Sequence, residues 1–380
     1  MNEQKNVGYQ QASEIPRQPD GNAFVLHCGG GFRAGQIDKD TWKIDPILID
    51  GKACVAGPLT TEQLQTFTKR HKLIGIAFES VGWTKGCYHS SWTPINPTRT
   101  NHFLGPADHW RNIASNITRR RTDTDLRNMI DPTHDKIAAL LDNRTEAERL
   151  AQSISLCLRS VDISVGRIAE FYHEQLIDLM ASGALNGQRR ATTLDQSLYA
   201  HVHSFFMHLG AARDYLAAFI ALGIGKNPDR IDSLARLVEI IRSQHFASSP
   251  LLQQALTKGF LAVSATKSHR WETAGWLREV SDLRNQFIHK RPYGEKFFER
   301  AGFAQAVDSD EGVYRYFRPI IVGADPNRDL LDIIGHHYRQ SITFFQDAAD
   351  GSGLDAAIET ITDRDIISFE VHRNPSGKNR

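Results

Sequence analysis

The segment Leu283-Arg284-Asn285-Gln286-Phe287-Ile288-His289 holds the residues of this chain that are best suited to chemistry. It places a guanidinium, a side-chain amide and an imidazole within little more than one helical turn. A guanidinium binds a phosphate through paired hydrogen bonds, and an imidazole takes up or releases a proton near neutral pH. Together these groups predict a site that holds a phosphodiester and moves its protons without a metal ion.

The apolar residues around this segment predict an amphipathic helix from near Glu272 to Lys290, ended by Pro292. At about 100° per residue, three apolar side chains fall within about 40° of Trp276 on this helix. With it they form the expected buried stripe, which consists of Trp276, Val280, Leu283 and Phe287.

The polar residues of the motif point elsewhere. Asn285 and His289 lie roughly 180–240° from Trp276, and Arg284 lies on the flank at about 80°. Asn285 and His289 are four residues apart and can touch, so the amide could orient the imidazole. A solvated helix face has the same composition, and on geometry alone this alternative stays open.

Four further cations are expected to contact a substrate. Three of them neighbour the motif in the sequence, and the fourth lies beside Asp214 on an earlier predicted helix. They are Arg278, Lys290, Arg291 and Arg213.

Other polar clusters predict no metal or cofactor site. His201 and His208 share a helix face, but about 10 Å separates them along the axis, and His203 lies on the other side. No acidic residue stands at the spacing of an HExxH motif, so packing or interface roles are expected for these histidines. The glycines at 29–31 lack the spacing of a nucleotide-binding loop and predict a turn.

Composition describes an ordinary globular protein. The chain has 380 residues, 41% of them hydrophobic and 23% charged, with a net charge of +1, so no global field recruits nucleic acid. No run approaches the roughly 20 apolar residues of a membrane span. The four cysteines are scattered without a CxxC pair, which disfavours a zinc ribbon and a disulfide framework. We therefore expect a cytoplasmic protein without a membrane partner.

The pattern along the chain predicts an α+β protein with five regions. Residues 1–22 form a flexible N-terminus without a signal-peptide core, and short apolar runs between glycine turns predict a smaller β-rich or mixed domain at 23–110. Residues 111–143 are expected to be an irregular linker. Its basic run, Arg119-Arg120-Arg121, could meet a phosphate backbone, although such runs are more often simply solvated.

Long helices are expected in 144–350. Thr145 with Glu148 and Thr193 with Gln196 have capping-box spacing, and they predict helices from 145 to about 180 and from 194 to 222. With the motif helix and a last helix at 329–348, these segments predict an antiparallel helical bundle. Residues 351–380 form a C-terminal extension and tail.

The motif resembles the signature of the HEPN superfamily, an all-α domain that carries Arg-x(4–6)-His with a polar residue, often Asn, after the arginine. Arg284, Asn285 and His289 match it, and the apolar Leu283 and the helices upstream fit as well. The resemblance covers roughly residues 145–350. The region before it matches no family in this way.

The resemblance implies a metal-independent endoribonuclease that works as a homodimer. Cleavage would proceed by attack of the RNA 2′-OH and leave 2′,3′-cyclic phosphate and 5′-OH ends. Arg284 would clamp the phosphate, Asn285 would orient His289 or contact a phosphate oxygen, and His289 would transfer protons. The implied biology is that of a toxin or antiviral-defence effector, with an antitoxin or regulatory partner. The alternative is a HEPN-type bundle that binds RNA or protein without cleaving.

Overall fold

The structure is a computed structural model that describes residues 22–84, 87–96, 104–129, 133–266, 270–323 and 325–358. It shows a mixed α+β protein with an N-terminal antiparallel sheet, as the sequence predicts. The expected flexible segment before residue 22 and the tail after residue 358 lie outside the described residues.

The sheet has six strands in the order β4-β3-β2-β1-β5-β6, and every neighbouring pair is antiparallel. Helix α1 (Thr61–Arg70) connects β4 to β5, and Thr60 and Gln63 form its capping box. The strands are β1 (Asn22–Cys28), β2 (Arg33–Asp38), β3 (Thr41–Ile49), β4 (Lys52–Thr60), β5 (Gly75–Thr84) and β6 (Cys87–Pro94).

The rest of the described chain is mainly helical, with three two-stranded antiparallel sheets between the helices, formed by β7 with β8, β9 with β10 and β11 with β12. In chain order the elements are α2 (Pro106–Asn128), α3 (His134–Asp142), α4 (Glu146–Ala181), α5 (Asp195–Gly223), α6 (Leu234–Ile240), α7 (Ser243–Ser248), α8 (Pro250–Thr257), β7 (Leu261–Val263), β8 (Trp271–Thr273), α9 (Gly275–Arg284), β9 (Phe303–Asp308), β10 (Val313–Phe317), β11 (Pro319–Val322), β12 (Asp325–Asp329) and α10 (Leu330–Gly351).

Helix α4 behaves as its sequence predicts. Thr145 accepts the Glu148 N–H, and the Glu148 carboxylate accepts the Thr145 N–H, which completes the capping box. The apolar stripe of α4 is buried along its whole length and packs against α5. For α5 the expected capping box is wrong. Leu194 is the N-cap residue and makes no side-chain cap, while the Asp195 carboxylate accepts the Thr192 N–H.

The expected irregular linker at 111–143 is also wrong, because α2 and α3 occupy most of it. Trp110 is fully buried, and its indole N–H donates to the Phe345 carbonyl. The Asn116 side-chain amide donates to the Asp355 and Ala357 carbonyls. Helix α2 is therefore held by contacts with α10 and with the residues that directly follow it, which compensate for its weak apolar pattern.

The glycine turn at 29–31 joins the sheet to the helical part. Gly30 and Gly31 have positive φ angles of 71° and 91°. A Cβ on Gly31 would lie 2.6 Å from the Tyr172 carbonyl oxygen on α4, and one on Gly30 would lie 2.7 Å from the Arg315 Cβ on β10. Only glycine allows this approach, so the predicted turn is also a packing contact between the two parts.

Candidate functional site

The motif lies where α9 ends. Helix α9 is α-helical through Arg284, and Asn285–Lys290 continue it as one π-helical turn. The Arg291 N–H closes this turn on the Gln286 carbonyl at 2.7 Å. Single π turns within helices occur frequently at functional sites. The wider turn also means that angles projected at 100° per residue do not hold beyond Arg284.

The buried side of the motif is as predicted. Trp276, Val280, Leu283 and Phe287 are all buried. The Phe287 ring lies 5.2 Å from the Phe206 ring on α5, and the Trp276 indole N–H donates to His337 on α10 at 3.0 Å. These contacts fix the motif segment against two neighbouring helices.

Arg284 lies over a glycine of α5. A Cβ on Gly210 would lie 2.4 Å from the Arg284 Nε and 2.6 Å from its Cδ, so the arginine occupies space that any larger residue would fill. The Arg284 side chain is 28% exposed, and its Nε is buried without a hydrogen bond. The guanidinium therefore reaches the surface with unused donors.

Asp214 faces this guanidinium, with its Oδ2 3.6 Å from the Arg284 Nη1. Its other oxygen accepts the Leu234 N–H at 3.0 Å, which orients the carboxylate. Burial raises the pKa of Asp214 above its ordinary value, while the Leu234 N–H and the nearby cations Arg213 and Arg284 oppose that shift. At 3.6 Å the contact is an ion pair without a close hydrogen bond, so the guanidinium remains able to bind an anion.

Arg213 does not have the predicted role. It is 4% exposed, and its guanidinium donates to the Leu277 carbonyl and the Ser281 hydroxyl of α9. Burial lowers its pKa to about 10. Arg213 therefore joins α5 to α9 inside the protein and cannot contact a substrate.

The remaining predicted residues are exposed. Asn285, His289, Lys290 and Arg291 lie on or just after the π turn, and all four are open to solvent. No hydrogen bond joins Asn285 to His289 in the part of the chain that the structure describes. Arg278 is also exposed, but it lies six residues before Arg284, about 9 Å along the helix. The structure thus brings together Arg284, Asn285 and His289 on one segment and leaves Arg278 at a distance.

The chain after the motif is anchored by a buried network. The Tyr293 N–H donates to the His203 Nε2 at 3.2 Å, and the Gly294 N–H donates to the Glu299 carboxylate. Arg318 is fully buried and donates to Asp195 at the start of α5 and to the Glu299 carbonyl. The insertion between the motif and α10 therefore holds the end of the π turn in place.

The histidines considered for a metal have other surroundings. His203 accepts a backbone hydrogen bond, and burial lowers its pKa. Burial also lowers the pKa of His201. Within the described ranges, the group of three potential ligands close enough for one ion is His71, Asp308 and Glu311, and it includes none of His201, His203 and His208.

Two members of the basic run are already paired. Arg121 contacts the buried Glu148 carboxylate and the Leu140 carbonyl, and Arg120 contacts Asp355 at 3.0 Å. These pairs weaken the expectation that the run meets a phosphate backbone.

Comparison with protein-family models, with curated proteins and with solved structures found no match. The likeness to HEPN proteins therefore rests on the motif.

Proposed function

We propose that the chain is a metal-independent endoribonuclease of HEPN type, with Arg284, Asn285 and His289 as its active residues. The observation that carries this proposal is the position of the Arg284 side chain over Gly210. Its guanidinium is fixed over Gly210 with unused donors, and the following π turn exposes Asn285 and His289. An arginine on an ordinary solvent-exposed helix face needs neither a glycine on the neighbouring helix to make room for it nor a π turn after it.

The reaction uses only groups of the chain and of RNA. The 2′-oxygen forms a bond to the adjacent phosphorus while the bond from phosphorus to the 5′-oxygen breaks. An imidazole accepts the proton of the 2′-OH, and an imidazolium gives a proton to the leaving 5′-oxygen. The products are a 2′,3′-cyclic phosphate and a 5′-OH end.

Arg284 would stabilise the negative charge that develops on the non-bridging oxygens. A phosphate that binds there exchanges a 3.6 Å contact with Asp214 for bidentate hydrogen bonds. Asn285 would donate to a phosphate oxygen or orient His289. Lys290 and Arg291 would hold the neighbouring backbone phosphates.

One His289 performs one proton transfer at a time, so a second copy of the motif would supply the other. We therefore propose a homodimer that acts on RNA in the cytoplasm, with toxin or antiviral activity controlled by an antitoxin or another regulatory partner. Helix α5 is long and apolar enough to cross a membrane, but 67% of its most apolar window is buried in the protein, as in a core helix.

The second candidate is a HEPN-type module that binds RNA or protein without cleavage. One observation favours it, because Asp214 already faces the arginine that a substrate would need. An RNA with a single 2′-deoxy residue separates the two functions. A nuclease of the proposed type cuts the all-ribose oligonucleotide and spares the bond after the deoxy residue, whereas a binding module retains both oligonucleotides and cuts neither.

A further inference from the structure

A second polar site lies away from the motif, where α1 meets the hairpin of β9 and β10. His71 is the residue that follows α1, and Asp308 and Glu311 lie at and just beyond the end of β9. One donor atom from each of the three side chains lies within 4.8 Å of the other two. No other group of three histidine, cysteine or acidic side chains comes so close in the residues that the structure describes.

The His71 side chain is buried at this site and is held by a ring contact. The His71 side chain is only 2% exposed, and its ring lies 4.5 Å from the Phe67 ring, which fixes its orientation. Its Nε2 lies 3.0 Å from a Glu311 oxygen, yet it makes no hydrogen bond there, because the geometry is unsuitable. A buried imidazole nitrogen normally has a hydrogen-bond partner. This nitrogen instead lies within 4.8 Å of one carboxylate oxygen from each of Asp308 and Glu311.

The hairpin is held in place independently of these side chains. Gly312 accepts the Leu48 N–H of β3 at 3.0 Å, and a Cβ on Gly312 would collide with the Leu48 carbonyl oxygen. The Asp308 Oδ1 accepts the Glu311 N–H at 3.2 Å, so its Oδ2 is left for other contacts. The turn that carries Asp308 and Glu311 is therefore held against the sheet by a backbone contact.

We propose that His71, Asp308 and Glu311 bind a divalent transition metal, with Zn²⁺ as the best match. Zn²⁺ accepts imidazole nitrogen and carboxylate oxygen as ligands, and water would complete the coordination. Four ligand atoms at about 2.1 Å from a zinc ion lie about 3.4 Å apart, so the side chains need to move by roughly 1 Å. The nitrogen ligand disfavours Mg²⁺ and Ca²⁺, which prefer oxygen.

Arg70 competes with the metal. Its Nη1 lies 2.6 Å from a Glu311 oxygen, and its Nη2 lies 3.6 Å from Asp308. The side chain of Arg70 is 61% exposed and can turn into solvent at little cost. With one cation and two carboxylates, the group carries a net charge of −1 when the imidazole is neutral, which favours an added cation. Metal binding then links the N-terminal sheet to the hairpin.

The test uses the untagged full-length chain after removal of metal. Isothermal titration with Zn²⁺, with Mg²⁺ as the control ion, measures affinity and stoichiometry, and thermal unfolding is followed with and without Zn²⁺. We expect one Zn²⁺ per chain and a melting temperature that rises with the Zn²⁺ concentration. Glu311→Gln should weaken binding by at least about 10-fold, as loss of a ligand costs no less than loss of an outer partner.

Two further variants sharpen the test. Asp310→Asn removes an exposed carboxylate from the same turn and should bind like the wild type. Arg70→Gln removes the competing cation and should bind Zn²⁺ more tightly. The proposal is overturned if the wild type and Arg70→Gln show no saturable binding, or if Glu311→Gln binds as well as the wild type. RNA cleavage is measured separately, so this result does not depend on the proposed nuclease activity.

Discussion

Gly210→Ala should inactivate the proposed nuclease without unfolding the protein. The new Cβ would lie 2.4 Å from the Arg284 Nε, 2.6 Å from its Cδ and 2.9 Å from its Cζ. Non-bonded atoms of this kind need about 3.5 Å, so the guanidinium has to move by roughly 1 Å. A displacement of about 1 Å in a catalytic group can cost about 100-fold in rate.

The stability of the same variant should change little. Alanine is favoured over glycine in a helix interior by about 1 kcal/mol. The atoms that must move are the far end of a flexible side chain, and its partly exposed ion pair with Asp214 is worth about 0–1 kcal/mol. These effects nearly cancel, so the free energy of unfolding should stay within about 1 kcal/mol of the wild-type value.

Gly335→Ala on α10 is the matched control. It makes the same change inside a helix, but the nearest atom to the new Cβ is the Arg339 Nη1 at 3.9 Å, an ordinary contact. Both variants are compared by urea unfolding and by the initial rate of RNA cleavage. The proposed role of Gly210 is refuted if Gly210→Ala folds and cleaves at the wild-type rate. It is also refuted if the variant loses several kcal/mol of stability, because Arg284 would then be part of a rigid core.

Four further substitutions separate the roles of the charged residues. Arg284→Gln should abolish cleavage and leave the urea midpoint of unfolding nearly unchanged. Arg213→Met should lower that midpoint, because it leaves the Leu277 carbonyl and the Ser281 hydroxyl without their donor. Equal losses of stability in the two variants would contradict these separate roles. Asp214→Asn should tighten RNA binding several-fold in a filter-binding assay, because a phosphate would no longer compete with a carboxylate for Arg284. Weaker binding would show instead that Asp214 positions Arg284 for RNA. Burial raises the pKa of Asp162 from 3.8 to about 7. Its folded form therefore binds a proton that the unfolded form has lost, and the contribution of Asp162 to stability falls as the pH rises from about 4 through 7. Asp162→Asn should flatten that fall by a few kcal/mol in urea titrations at pH 5 and pH 8, and an unchanged slope would exclude Asp162 as its source.

Local sequence patterns, such as capping boxes and apolar stripes, correctly predict the helices whose formation depends mainly on neighbouring residues. The capping box at Thr145 and the apolar stripe of α4 are both present, and so is the buried stripe of the motif helix. The local sequence does not predict helix α2, because the contacts that stabilise it are made with residues far along the chain. Its buried Asn112 and Asn116 look like linker residues, and their partners are carbonyls about 240 positions later in the chain.

The candidate site was predictable in its residues and only partly in its geometry. The motif identified Arg284, Asn285 and His289, but a spacing of four residues fits an α-helix as well as the π turn that forms. The resemblance implies that polar residues of neighbouring helices, Arg213 among them, line the groove, but packing between α5 and α9 buries Arg213. Gly210 carried no signal beyond being a glycine within a helix, and only the close approach of Arg284 shows its role.

The most direct test of the central claim is RNA cleavage in the presence of EDTA by the wild type, His289→Ala and His134→Ala. His134 is a fully exposed histidine away from the motif and serves as the control. We predict chelator-resistant cleavage to 2′,3′-cyclic phosphate ends by the wild type and by His134→Ala, and none by His289→Ala. Cleavage by His289→Ala at the wild-type rate, or cleavage that stops in EDTA, would contradict the proposed nuclease.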